Sequence, residues 1–406
     1  MIKLKRTISL PQMVLYGLGT TIGAGIYALV GEVAARSGYM APLAFFAAAL
    51  LAATTALSFA ELCGRFPKAA GAALYVKQGF NSDQLSRLIG LLVALAGLVS
   101  ASALINAFSG YLAQLVHLPG NFTLIAVVLV IITIAIWGIA ESVYIAGLFT
   151  LIEVGGLVWI VLVASPNLAH LPEMAPLFIP DFSLHSAFLI YSGVLLAFFA
   201  FIGFEDMVDV AEEVKHVRRT LPLAIILTLL ITAALYFSIM LLALLTVPLS
   251  ELAASSAPLA LIYEKQTGQP ATAISIIGML AIINGALIQV IMGSRVLYGL
   301  SSRSLLPLFF SHVNAKTQTP VNATLAAGAL VMVLAVSGDL STLAQTTSLL
   351  MLVVFSLVNL SLWRIKKHQP VPYGNLSIPR WIPLIGFLVS AGLVFYELLN
   401  ALQGYL

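Results

Sequence analysis

The chain has 406 residues, of which 61% are hydrophobic and only 9% charged, with a mean hydropathy of +1.05 and a formal net charge of +3. Too few polar side chains exist to clothe a water-facing surface, so a soluble globular protein is excluded and an integral membrane protein is implied. A single cysteine, Cys63, excludes an internal disulfide framework.

The N-terminal MIKLKRTISL has the basic start of a signal peptide, but glycine and threonine interrupt the apolar run behind it and no convincing cleavage site follows, so it reads as the entry to a retained first span. Crossing about 30 Å of hydrocarbon takes about 20 apolar residues. About eleven such stretches follow in chain order, centred near Gly23, Leu51, Ser100, Ile131, Glu153, Phe199, Leu235, Asn284, Leu330, Val353 and Leu388. Loops rich in Pro, Gly, Asn and charge separate them, such as SPNLAHLPEMAPLFIPDF and KKHQPVPYGNLSIPR, and none has room for a soluble domain. With the N-terminus in the cytoplasm, all but two of the 19 Lys and Arg residues fall on the inner side, the exceptions being Arg36 and Lys265. The positive-inside rule thus predicts a cytoplasmic N-terminus and, for an odd span count, an extracytoplasmic C-terminus in the cell's inner membrane.

The first span contains YGLGTTIGAGIY, with glycines at 17, 19, 23 and 25. Counted from Leu10, Gly23 lies near the bilayer midplane at 1.5 Å per residue. The sixth span reads FFAFIGFEDMVDVAEEVKHVRR, with Gly203 followed by Glu205 and Asp206. These interruptions occupy matching places in two runs of five spans that start on opposite sides of the membrane. That pattern is the signature of an inverted repeat whose discontinuous helices bind a ligand at the midplane. The predicted units are residues 1–165 and 166–365, with 366–406 as an inner loop and an additional span. Half-helix N-termini favour an anionic group and half-helix C-termini a cation, and a zwitterion presents both. Gly19 and Gly23 also form a small-xxx-small pair that close helix packing alone would explain. Glu205 and Asp206 face the competing reading of solvated charges at the water boundary, which is the favoured one for Asp209, Glu212 and Glu213.

Three blocks, GTTIGAGIY, SFAELCGRFPKAAGAALYV and FFAFIGFEDMVDVAEEVKHVRRTLPLAI, with GSRVLYGLSSRSLLP as a fourth, resemble the amino acid permeases of the amino acid-polyamine-organocation (APC) superfamily, in particular the prokaryotic relatives of cationic amino acid transporters. The resemblance implies an all-α membrane protein with a LeuT-type arrangement of five plus five inverted spans, broken at helices 1 and 6. It implies that Thr21, Ile22, Gly23, Ala24 and Gly25 hold the substrate's carboxylate and amine through their backbone, with Phe198, Ala200 and Phe201 supplying carbonyls beside Gly203. Phe199 falls where such transporters place an aromatic gate. Glu61 and Arg65 match a helix-end block that reads as inner-side structure.

Two departures from that pattern stand out. Where several sodium-independent members carry a lysine in span five, this chain has Glu153, with no other charge from Val143 to Ala164. An ionised acid at that depth costs about 3 kcal/mol on insertion scales, which marks Glu153 as a candidate proton carrier. The alternatives are a neutral glutamic acid bonded to a neighbouring carbonyl, or a partner for a cation, either sodium or a basic substrate group. Asp206 and Asp209 are the second departure, standing where relatives more often have small or neutral residues.

No GxxxxGK[ST] loop is present, the six histidines lie mostly in loops or at span ends without HExxH or paired-cysteine spacing, and the basic residues follow topology rather than a nucleic-acid-binding face. No enzyme, cofactor, metal or nucleic-acid partner is expected. The resulting expectation is a secondary active amino acid transporter working by alternating access in the lipid bilayer, proton-coupled through Glu153. The alternatives are a sodium-coupled or exchange-only amino acid or polyamine transporter and, in other classes, a nutrient sensor or a channel.

Overall fold

A computed structural model describes residues 6–23, 25–68, 71–116, 118–137, 143–181, 183–302, 306–369 and 376–404. The described residues are almost entirely helical. In chain order come α1 (Leu10–Ile22), α2 (Gly25–Ser37), α3 (Ala41–Arg65), α4 (Gly71–Phe80), α5 (Asp83–Ala113), α6 (Gly120–Trp137) and α7 (Val143–Ala164). After a short α8 (Leu171–Phe178) come α9 (Leu184–Phe199), a 3-10 segment (Phe204–Glu213), α10 (Val217–Thr246), α11 (Leu249–Ala253), α12 (Pro258–Thr267), α13 (Thr272–Ser302), α14 (Val321–Ser337), α15 (Leu340–His368) and α16 (Trp381–Gly404).

Nine helical segments among the described residues are long and apolar enough to cross a membrane. The sequence expectation of about eleven differs for two physical reasons. α14, at 17 residues, is slightly short. The first span is split into 13-residue halves, so that α2 merges with α3 into one continuous apolar segment, Gly25–Arg65. Each of the eleven predicted centres still falls within a helix or, at Gly23, in the break between two. Large apolar side chains such as Trp137, Leu148, Phe188, Leu230 and Phe395 stand exposed, as the outer face of a bundle solvated by lipid requires.

The packing has an internal symmetry. α1 lies against α10 and α7, while α9 lies against their positional counterparts α3 and α15. The remaining counterparts pack on each other, α3 on α10, α5 on α13 and α6 on α14. Exchanging the first five spans for the second therefore maps the packing pattern onto itself, with α16 added outside against α15 and α3.

At the base, the N-terminal segment is clamped to the turn between the 3-10 segment and α10. Thr7 and Ile8 donate to the Glu213 carbonyl at 2.9 and 3.1 Å, Lys215 donates to the Ile8 carbonyl at 2.9 Å, and Ile8 pairs with Val214 as an isolated parallel bridge.

Nearby helix ends are held by a buried ion cluster. The Glu61 carboxylate accepts from Arg65 Nε and a terminal guanidinium nitrogen (2.9 and 2.6 Å), from Lys366 Nζ (2.7 and 2.8 Å) and from the Ile378 N–H (2.9 Å). This cluster fastens α3, α15 and the approach to α16, which gives Glu61 and Arg65 a structural role.

Candidate substrate site

Both predicted interruptions are present. α1 stops at Ile22, Gly23 takes φ 23° and ψ −136°, and α2 starts at Gly25. α9 stops at Phe199, and the N–H groups of Ala200, Phe201 and Ile202 then bond three residues back, to Ala197, Phe198 and Phe199. At Gly203 the chain swings to φ 124°, a conformation glycine alone adopts without strain. It continues as ten residues of 3-10 helix, far beyond the usual length of three or four, which is the form a hinge takes inside a helix.

The two breaks meet backbone to backbone. A Cβ on Gly25 would lie 2.8 Å from Ala200 Cα, and one on Gly203 would overlap the Thr20 carbonyl. Glycine is required at these two places because the crossing strands leave no room for a side chain.

One hydroxyl from α10 bonds both breaks. Tyr236 OH lies 3.2 Å from the Thr21 and Ile22 carbonyls and 3.0 Å from the Ala200 carbonyl, while its ring packs 5.1 Å from Phe201 and 6.0 Å from Phe45. A phenol has a single proton to donate. The half-helix carbonyls expected to face a ligand therefore already share a protein donor.

Beside the crossing lies a small cavity of about 50 Å³, with space for a few waters, walled by both breaks and by α5 and α13. Of the expected residues, Thr21, Gly23, Gly25 and Phe199 line it. Ile22, Phe198, Ala200, Phe201 and Gly203 do not. The Ile22 and Ala200 carbonyls turn to Tyr236, Phe198 packs edge-on against Phe355, Phe201 packs on Tyr236, and the Gly203 N–H donates to Glu205 Oε2 at 2.8 Å. Ala24 lies outside the described residues. Thr21 Oγ1 is buried and has no hydrogen-bond partner among the described residues.

The acids of span six have separate positions. Glu205 is buried and caps the break through Gly203, rather than being solvated. Asp206 lines the cavity, and its carboxylate takes no hydrogen bond from the described residues. Asp209 Oδ1 lies close to Gly71, and Glu212 is exposed.

Glu153 is 2% exposed on α7, the helix that lies behind α1, and is not among the cavity's lining residues. Its surroundings are a chain of tyrosines: Tyr111 OH donates to the Tyr27 carbonyl, and Tyr27 OH donates to the Glu153 carbonyl, both at 2.8 Å. Thr150, one turn before Glu153, abuts Gly19.

Thr20, Ser100, Gln289 and Asp206, with Gly19 and Gly285, complete the polar and glycine lining, and the sequence reading assigned none of them to the substrate. Gly285 and Gln289 lie four residues apart at mid-depth on α13, an i, i+4 pair whose polarity inside an apolar span was the available signal. Tyr236, at mid-span on α10, gave no signal separable from ordinary aromatic packing. No group of three or more His, Cys, Asp or Glu able to hold a metal ion occurs among the described residues.

A multi-pass helical membrane protein with two helices interrupted side by side around an internal polar cavity belongs structurally with carriers of small molecules rather than with enzymes. The sequence profile of the amino acid permease family matches residues 8–401, and the chain belongs to that family. It is 30% identical to cationic amino acid transporter 3, mitochondrial, of Arabidopsis thaliana, over 93% of this chain and 64% of the plant protein. It is 27% identical to the branched-chain amino acid permease BcaP of Bacillus subtilis (strain 168), over 96% and 86% of the two chains. With the methylthioribose transporter of the same bacterium it shares 26% identity over 97% and 88%. The chain spans less than two thirds of the length of the plant transporters it matches.

Proposed function

We propose that the protein is a secondary active transporter that moves amino acids across the membrane by alternating access, with the substrate held where the two broken helices cross. The observation carrying this reading is the cavity itself, which Thr21, Gly23, Gly25, Asp206 and Gln289 line together with Phe199. Donors and acceptors of both kinds at a helix break suit a zwitterion. The cavity has space for only a few waters, so an amino acid with a large side chain has to widen it, and Phe199 is the bulky wall that would swing. Asp206 adds a carboxylate without a protein donor among the described residues, which favours substrates carrying an additional amine over purely neutral ones.

Residues 1–165 and 166–365 act in this reading as the two inverted units, with the remainder as an added span, an N-terminus in the cytoplasm and a C-terminus outside the cell membrane. Glu153, buried behind α1 and joined to α2 through Tyr27, is the residue assigned to proton coupling. From that position it senses α1 and α2 without touching substrate.

A thermal-shift panel of amino acids and polyamines on purified protein identifies the ligand, because selective binding to the native state raises the melting temperature. Uptake of that ligand into proteoliposomes, with an imposed pH gradient, with sodium, or with neither, then tests coupling. Accumulation driven by the pH gradient and abolished in Glu153→Gln, with exchange retained, is the expected result. Sodium-driven accumulation, or pH-driven accumulation surviving in Glu153→Gln, overturns the coupling assignment. Ohmic flux or binding without flux overturns the carrier.

A further inference from the structure

We propose that the basic cavity at the base of the two broken helices binds a phosphate-bearing anion. This cavity, about 760 Å³, is lined by Arg6, His216, Arg218 and Arg219, with Pro67, Val217 and Thr220 completing it, and no carboxylate is among the lining residues. Arg6, Arg218 and Arg219 make no ion pair with any described residue, although the structure pairs Arg65, Lys77, Lys265 and Lys366 with acids.

A positive count on one membrane face serves topology wherever the charges stand. Convergence into one cavity is a separate requirement, and here it is built into the main chain. Arg6 precedes α1, whereas Arg218 and Arg219 open α10. The hydrogen bonds of Thr7, Ile8 and Lys215 and the Ile8–Val214 bridge, both of whose side chains are buried, fix the spacing of the two segments. Three arginines lining one cavity give it a positive charge that an entering anion offsets. Guanidinium forks match phosphate oxygens in pairs, and a phosphate group carries enough oxygens and charge to engage more than one of them. The first turn of α10 has no side-chain cap, so the Val217 and Arg218 N–H groups face the same ligand requirement.

The clamp leads on one side into α1 and on the other into the 3-10 segment, the two half-helices on this face. A bound anion would therefore lock together the parts of the protein that meet at the breaks. The inference does not depend on transport, and binding alone tests it.

The shared chemistry has two sources, an anionic lipid head group or a soluble phosphate compound, and two arms separate them. In the first, protein in neutral detergent is melted against increasing inorganic pyrophosphate, with sodium chloride at matched ionic strength as control. In the second, protein in nanodiscs of phosphatidylcholine is compared with nanodiscs containing phosphatidylglycerol. The expected result is a rise in melting temperature in at least one arm. In Arg218→Gln/Arg219→Gln the half-saturating concentration should rise roughly tenfold or more, or the lipid effect disappear, as removal of two charge-assisted donors requires. Lys at both positions should restore part of the effect. These arginines are exposed, so the variants keep their fold, and their melting temperature without anion checks this. No rise in either arm, or an equal rise in the double variant, overturns the proposal.

Discussion

Gly25→Ala tests the close crossing of the breaks with a single methyl group. The added Cβ would stand 2.8 Å from Ala200 Cα and 3.2 Å from Ala200 Cβ. Carbon atoms prefer a separation of about 3.5–4.0 Å, so the two segments have to part by roughly 1 Å. The nearer atom belongs to the backbone and cannot rotate aside, and the Ala200 carbonyl is tied to Tyr236. Overpacking costs about 1–3 kcal/mol, while replacing a helical glycine by alanine returns up to about 1 kcal/mol. The net destabilisation is therefore about 0–3 kcal/mol, and melting alone discriminates poorly. Affinity discriminates better, because a 1 Å displacement takes backbone donors at the crossing beyond hydrogen-bonding range, at about 1 kcal/mol or more for each hydrogen bond broken. For the amino acid found by thermal shift, calorimetric affinity should fall about tenfold while the protein stays folded. Adding Ala200→Gly removes the 3.2 Å approach and leaves the 2.8 Å one, so it should not rescue binding. Wild-type affinity in Gly25→Ala, or full rescue by Ala200→Gly, refutes the backbone crossing as the determinant of the site.

Tyr236→Phe removes the hydroxyl shared by three carbonyls and should cost about 1–3 kcal/mol, read as a lower melting temperature with unchanged helical content. In the Glu61 cluster the order of effects is the prediction. Glu61→Gln strands two buried cations and should cost about 3–5 kcal/mol, whereas Lys366→Met leaves Glu61 neutralised by Arg65 and should cost clearly less, with denaturant midpoints deciding between them. Phe199 is buried in the core but also borders the cavity, so Phe199→Ala widens a space that already exists and uptake should fall further than melting temperature. A destabilisation as large as the 3–5 kcal/mol typical of a core Phe→Ala change would assign Phe199 to packing instead.

Much of the architecture was legible because bilayer physics writes itself into sequence: length and hydropathy give spans, and clustered glycines at matching depths of two spans mark where helices can break. The breaks at Gly23 and Gly203 were read within a residue or two. Which groups face the cavity was not legible, because neighbouring residues in a broken helix point in different directions. Ile22, Phe198 and Phe201 share the motif of Thr21 and Phe199, yet only the last two line the cavity. Asp206 could not be told from a boundary charge until the 3-10 geometry placed it a turn below Gly203. Tyr236 and Gln289 come from helices whose mutual register no single sequence reveals.

The ties between the broken helices are unequal on the two sides of the crossing, and this bears on how the site opens. Below it, α1 and the 3-10 segment are joined twice, by Gly203 against Thr20 at the break and by the Ile8–Val214 bridge at the base. Above it, α2 packs along α9, with the Ser192 hydroxyl bonded to the Arg36 carbonyl at 3.0 Å. A movement of α1 alone would break backbone hydrogen bonds at Thr7, Ile8 and Lys215 together with the Tyr236 hydrogen bonds. Movement of α1 and the 3-10 segment as one body keeps the basal bonds and needs only the two residues at each break to turn, where Gly23 and Gly203 already occupy conformations that side-chain-bearing residues avoid. Under the proposed transport cycle the economical motion is thus a paired one, hinged at the glycines and opposed by the packing of α1 on α7 and α10 and by Tyr236, whose hydroxyl spans both breaks from a third helix.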